Sequence, residues 1–184
     1  MKCSLCPRRC NAERTENENL NGFCKMPLLP VAARAALHFW EEPCISGKNG
    51  SGTVFFTGCN LDCAFCQNYE VSHLKKGKPI TYKRLADIFR ELEEKGAHNI
   101  NLVSPSHYVG AIIRALDIYK PKIPVVYNSG GYDTPENIRA LKDYADIFLM
   151  DLKYLSPDRA KKYSGAENYP EYAVSAVKQA YLQQ

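Results

Sequence analysis

From residue 52 onward the chain alternates short β-branched or aromatic runs with longer stretches of helical apolar spacing, and this alternation limits the folds open to it. Gly52-Thr-Val-Phe-Phe-Thr57 reads as a buried first strand. Thr81 caps a helix whose apolar stripe is Leu85, Ile88, Phe89 and Leu92, and Gly96 closes it. Ile100 to Val103 is a second strand, and Val109, Ile112, Ile113 and Leu116 mark a helix that stops before Pro121. Pro124 to Tyr127 is a third strand, after which Thr134-Pro135 opens a helix burying Ile138 and Leu141. Ile147 to Met150 is a fourth strand, and Val174, Val177 and Tyr181 set the face of a last helix after Pro170. Strands separated by helices pair in parallel through right-handed crossovers. The expected fold class is therefore α/β, with a sheet that lies open and doubly wound or curls toward a barrel. In both forms ligands bind at the carboxyl ends of the strands.

Three cysteines stand at that end of the first strand, in Cys59-Asn-Leu-Asp-Cys63-Ala-Phe-Cys66, with Gly58 permitting the sharp turn into them. Iron–sulfur clusters are usually held by four thiolates. Three thiolates in one loop leave the fourth iron of a cubane open to a small ligand. A zinc knuckle is the competing reading, with His73 downstream as a fourth ligand. A second set, Cys3, Cys6, Cys10 and Cys24, surrounds Pro7-Arg8-Arg9 and a polar loop from Asn11 to Asn21. Four thiolates without an open position suit tetrahedral zinc, and an auxiliary Fe–S cluster is the alternative. Cys44 has no partner at ligand spacing and reads as a small buried hydrophobe.

A chain of 184 residues accommodates one ordinary domain and a small appendage. The division expected is a Cys-rich segment over 1–50, in which Val31 to Trp40 is a short helix or strand, and a core over 51–184. The balance of 24 basic and 20 acidic side chains, +4, is too mild to argue for nucleic acid or an anionic membrane. No run approaches the ~18 apolar residues of a membrane span. Eight cysteines with no secretion signal at the start point to a reducing, cytoplasmic setting in which thiols bind metal.

The passage Gly50 to Asn68, preceded by Glu41-Glu-Pro-Cys-Ile-Ser-Gly47, closely resembles radical S-adenosylmethionine (radical SAM) proteins related to pyruvate formate-lyase activating enzymes. Cys3-Ser-Leu-Cys-Pro-Arg-Arg-Cys10 and Gly22-Phe-Cys24 are similar to the N-terminal cysteine segment of uncharacterised homologues of those enzymes. The resemblance implies a partial parallel (β/α)6 barrel, with about four strand–helix units present here. It implies a 4Fe–4S cluster on Cys59, Cys63 and Cys66 whose open iron binds the methionyl amine and carboxylate of SAM. The implied activity is reductive cleavage of SAM to a 5′-deoxyadenosyl radical that abstracts hydrogen from a protein glycine or another carbon. Such an oxidoreductase needs a one-electron donor such as flavodoxin or ferredoxin, and takes a protein substrate in the activating enzymes.

By the same resemblance Phe65 lies against the adenine. Relatives often carry Gly-Gly-Glu at the end of the second strand, where this chain has Val103-Ser104-Pro105-Ser106-His107. The glutamate is absent, and the hydroxyls of Ser104 or Ser106 are the substitute acceptors. His107 is either a polar residue opening the next helix or a catalytic or ligand group. Asn128, in Asn128-Ser129-Gly130-Gly131, falls where relatives place groups near the ribose, although the glycines also suit a tight turn. Asp151 and Lys153 resemble a motif near the methionyl end of SAM. They form either a pair that grips an amino acid zwitterion or a surface ion pair worth less than about 1 kcal/mol. A six-unit barrel needs two more units than this sequence holds, so a C-terminally short relative is expected. A non-catalytic Fe–S or zinc-binding fragment is the alternative.

Overall fold

The structure, a computed structural model, describes residues 2–183. Near the start, β1 (Glu13–Arg14) and β2 (Asn19–Leu20) pair as a separate antiparallel ribbon. Then come β3 (Val31–His38), α1 (Pro43–Ser46), β4 (Ser51–Phe56), α2 (Tyr69–Ser72), β5 (Lys78–Pro79) and α3 (Tyr82–Glu94). Strict alternation follows: β6 (Ile100–Val103), α4 (Val109–Ile118), β7 (Val125–Ser129), α5 (Pro135–Ala140) and β8 (Ile147–Met150), closed by α6 (Pro157–Ser164) and α7 (Tyr169–Leu182). The main sheet has the order β5-β3-β4-β6-β7-β8. From β4 to β8 every pair is parallel, as the intervening helices require. This mostly parallel sheet with flanking helices is consistent with a partial radical SAM β/α barrel.

One flank departs from the expected alternation. Val31–His38 is a strand, but it runs antiparallel to β4 and carries the short β5 on its outer side. The two edges of the sheet therefore differ: β5 ends one, and β8 ends the other with no strand beyond it among the described residues.

The helices form where apolar spacing and caps coincide. Thr81 Oγ1 accepts the Arg84 amide at 3.1 Å, and α3 buries Leu85, Ile88, Phe89 and Leu92 as its stripe predicts. These pack with Ile112 and Leu116 of α4 against Val54, Phe56, Ile100 and Leu102 of the sheet. The face of α7 is the reverse of that expected. Val174, Val177 and Tyr181 are exposed, while Ala173, Ala176 and Ala180 are buried. Ala176 and Ala180 sit against Ile138, Leu141 and Tyr127, because a methyl group lets the helix axis approach where a larger side chain would hold it off. The short α6 is polar and buries only Ala160 and Ser164. It is set by Ser156 accepting the Arg159 amide at 3.4 Å and by left-handed Gly165. Cys44, expected to be buried, is exposed near the start of α1. No helix is long and apolar enough to cross a membrane among the described residues.

Candidate active site

The carboxyl ends of the four parallel strands open into one cavity of about 780 Å³, ample for a nucleotide-sized ligand. After β4 comes the loop of Cys59, Cys63 and Cys66, all three of which line the cavity and none of which is in a disulfide. Its underside is fixed by an apolar cluster of Leu61, Tyr132, Ala160, Ala166, Tyr169 and Ala173, against which Cys59 and Cys63 pack. Gly58 enters the loop at φ +80°, where a Cβ would collide with the side chain of Met26. The Leu61 amide donates to Cys59 Sγ at 3.4 Å. Cys63 Sγ lies 3.0 Å from Ser164 Oγ, and Cys66 Sγ lies 3.1 Å from Ser72 Oγ. Burial pushes the Cys59 thiol up to about 12 in spite of the Leu61 amide, and it raises Cys63 as well. Thiols held protonated in this way must release protons to a metal when they ligate it. Free sulfurs contacted by hydroxyl and amide groups are a donor set that fits thiolate ligation of a cluster.

His73 is occupied elsewhere. Its Nε2–H donates to Asp62 Oδ1 at 2.7 Å, its Nδ1 lies 2.7 Å from Ser72 Oγ, and Tyr69 stacks on the ring at 4.6 Å. Among the described residues, no three His, Cys, Asp or Glu side chains meet around a point that one ion would fill.

The remaining strand ends contribute unevenly. Ser104 lines the cavity and holds a left-handed backbone at φ +56°, a conformation a non-glycine residue adopts at a cost of about 1 kcal/mol. Asn128 lines it too, donating to Glu41 Oε2 at 3.3 Å. Asp151 and Lys153 stand at the mouth, with Lys153 Nζ 2.5 Å from Asp151 Oδ2 and 5.9 Å from the centre of the Phe65 ring. Burial disfavours the Lys153 charge, but the Asp151 carboxylate outweighs it and raises the ammonium pKa. Phe65 is 56% exposed on the cavity wall, edge-on to Tyr154 at 6.5 Å between centres.

Ser106 does not reach the cavity. It is buried, and its hydroxyl hydrogen-bonds to Asp133. Tyr127 and Ser129 also donate to that carboxylate, each at 2.7 Å. Burial nonetheless raises the Asp133 pKa above the ordinary carboxylate value. Sequence reasoning missed Glu41, Glu42, His38 and Trp40, which reach the cavity wall from the end of β3 and the loop after it. Glu41-Glu-Pro stands in the sequence, but β3 ends beside the start of β4, His38 pairing with Ser51, so strand order alone gives no reason to expect these residues on the cavity wall.

His107 lies outside the cavity and supports it. The buried ring donates Nε2–H to the Thr57 carbonyl at 2.8 Å, tying the segment after β6 to the turn that enters the cysteine loop. Burial holds its pKa down to about 4, against 6.5 for an ordinary histidine. The unfolded chain therefore takes up a proton that the folded chain refuses. The stabilisation is complete above pH 6.5 and is lost as the pH falls toward 4, by an amount on the order of 3 kcal/mol. Asp133 has the opposite sign, since its raised pKa costs stability as the pH rises. Urea unfolding of wild type and His107→Gln across this window separates the two, and the wild type should lose stability on acidification more steeply. Parallel profiles would show that His107 is not held neutral.

Residues 53–181 match the Radical SAM superfamily, so the chain belongs to that superfamily of enzymes with radical chemistry. Its members typically bind a 4Fe–4S cluster and SAM. The chain is similar to an uncharacterised protein of Methanocaldococcus jannaschii, MJ0674, with 31% identity over 176 residues. That alignment takes in 91% of this chain and 50% of the relative, so the chain spans about half the relative's length.

Proposed function

We propose that this chain carries a 4Fe–4S cluster on Cys59, Cys63 and Cys66, binds SAM in the adjoining cavity, and works as an oxidoreductase resembling the glycyl-radical activating enzymes. The observation that supports this most directly is the opening of the three-thiol loop and the ends of β6, β7 and β8 into one cavity. Bound there, cluster and SAM would supply reductive cleavage of the bond from sulfur to ribose, yielding methionine and a 5′-deoxyadenosyl radical for hydrogen abstraction.

The protein's part is to bind, orient and shield. Phe65 offers an exposed ring face for the adenine. Ser104 and Asn128 present a hydroxyl and an amide to the nucleoside. Asp151 and Lys153, already paired, meet the ammonium and carboxylate of the methionyl end. Glu41, held by Asn128, is the acidic group that Ser104 and its neighbours lack. A one-electron donor such as flavodoxin or ferredoxin supplies the electron, and a protein glycine is the substrate class that the likeness to activating enzymes favours.

Anaerobic reconstitution with iron and sulfide, followed by reduction in the presence of SAM, should release methionine and 5′-deoxyadenosine. Metal uptake without SAM affinity would instead identify a binding fragment and refute the enzymatic reading. Glu41→Gln removes one charge and keeps the shape. Losing a charged hydrogen bond at this half-exposed position should weaken SAM binding about tenfold, with the cluster spectrum unaltered. Equal affinity in isothermal titration would remove Glu41 from the site.

A further inference from the structure

Cys3 and Cys6 are buried, Cys24 partly so and Cys10 exposed, and among the described residues they do not meet where a single zinc ion could sit. The contacts that lead further are those of the three-cysteine loop, where each sulfur has its own outer partner. Cys59 accepts from the Leu61 amide, and Cys63 faces the Ser164 hydroxyl, which lies 2.9 Å from Tyr154 Oη. Cys66 faces Ser72, and there the contacts continue. Ser72 Oγ is 3.1 Å from Cys66 Sγ and 2.7 Å from His73 Nδ1, and His73 Nε2 is 2.7 Å from Asp62 Oδ1. Sulfur, hydroxyl, imidazole and carboxylate thus form one unbroken line. It starts on the cavity wall and ends at a carboxylate that is 64% exposed.

The line is built locally. The single turn of α2 begins three residues after Cys66, and the Ser72 and His73 amides donate to the Asn68 and Tyr69 carbonyls at 2.9 Å each. That turn sets the two side chains next to each other, and Tyr69 stacks on the imidazole with 13° between the planes. Asp62 reaches the ring from the opposite limb of the loop, where its amide donates to the Ser164 carbonyl at 3.1 Å.

Counting hydrogens gives the line a direction. An ionised carboxylate only accepts, so His73 Nε2 carries a hydrogen toward Asp62. With Nδ1 bare, Ser72 donates its one hydrogen to the ring, and its oxygen accepts from Cys66 S–H. This order suits a thiol and fails a thiolate, which needs a donor of its own. Passing the Cys66 proton to Ser72 Oγ while the Ser72 hydrogen moves to Nδ1 settles both ends. The ring becomes an imidazolium against Asp62, Nδ1–H donates to Ser72, and Ser72 O–H donates to the sulfur. One proton leaves the sulfur and one arrives on the ring. The Asn68 carbonyl, 3.0 Å from Ser72 Oγ, competes poorly for that hydrogen, because a charged acceptor binds it about twice as strongly.

We propose, resting on the cluster reading above, that Asp62, His73 and Ser72 are positioning residues: a relay that takes the proton Cys66 releases on ligation, returns a hydroxyl donor to its sulfur, and so raises the cluster's reduction potential. Hydrogen bonds to cluster sulfurs are among the levers that set this potential. A donor favours the reduced, more negative state, which eases entry of the electron that SAM cleavage requires.

Redox titration of the reconstituted protein, followed by the electron paramagnetic resonance of the reduced cluster, tests the relay. Ser72→Ala removes the hydroxyl, and His73→Phe removes both nitrogens while keeping a ring on Tyr69. Each should retain wild-type iron and shift the reduction equilibrium against the reduced state about tenfold, a fall of about 59 mV for one electron. Ser72→Thr keeps the hydroxyl and should match wild type. The double variant should fall no further than Ser72→Ala alone, because both changes act on one line. A wild-type potential in Ser72→Ala, or additive shifts in the double variant, would overturn the relay. If Ser72→Ala holds no iron, His73→Phe and Asp62→Asn decide, since both act through Ser72, and unmoved potentials there refute it equally. Loss of iron in all three would make the line a structural support and end its role in the potential. Wild type that takes up no iron sinks the proposed function, whereas a loaded wild type with unmoved variants sinks the relay alone.

Discussion

Cys63→Ala protein, reconstituted without oxygen, should lose its bound iron, its visible thiolate-to-iron absorbance and its cleavage of SAM. Cys63 lines the cavity, packs on the cluster of Leu61, Tyr132 and Tyr169, and touches Ser164 through its sulfur. Two thiolates in the loop cannot take its place, and His73, the nearest histidine downstream, has both ring nitrogens engaged. Changing outer partners of metal ligands typically costs about 10–100-fold in affinity or activity, so removing a ligand should cost more than that. The fold should persist, because Cys63 is only partly buried and its loss leaves the apolar cluster beneath it in place. Circular dichroism matching wild type, with iron and methionine release near background, is the expected pair of results. Unchanged iron and cleavage would end the assignment of this loop as a cluster site.

Gly131→Ala should damage the fold itself. Gly131 has φ +76°, and a Cβ there would collide with the Asp151 carbonyl and approach Tyr169 Oη to 3.0 Å. Left-handed strain costs about 1 kcal/mol, and forcing apart two well-packed strand ends costs about 1–3 kcal/mol more. Gly96→Ala is the control, because Gly96 has a similar φ of +79° but nothing within 4 Å of its missing Cβ. Urea unfolding of the two variants should show Gly131→Ala less stable than Gly96→Ala by about 2 kcal/mol. Similar midpoints would mean that the turn after β7 yields easily. The measurement bears on the site as well, since Gly131 spaces the end of β7 from Asp151.

Most of the strand–helix alternation was legible because its stripes are unambiguous. Leu85, Ile88, Phe89 and Leu92 can share a face only on a helix, and Ile100 to Val103 is too short and too apolar for anything but a buried strand. What escaped was set by contacts distant in sequence. Val31-Ala-Ala-Arg-Ala-Ala-Leu-His38 has no strong period, and its pairing with β4 supplies what its own composition lacks. On α7 the large side chains suggested the core face, whereas close approach to Ile138 selected the alanines. Ser104, Asn128, Asp151 and Lys153, singled out through the resemblance and their place at strand ends, line the cavity together with the cysteine triplet. The turning of Ser106 to Asp133 was not legible, because the carboxylate that captures it lies 27 residues later in the chain.

The unequal rims of the sheet have a consequence for growth. At one rim Pro79 lacks the N–H that a further neighbour would require, so β5 acts as a stop. At the other, the backbone of Ile147–Met150 carries no proline and ends beside Asp151 and Lys153. Extension of the pleated surface is thereby one-directional. Any segment annealing in parallel along that margin would arrive with its tip over the cavity.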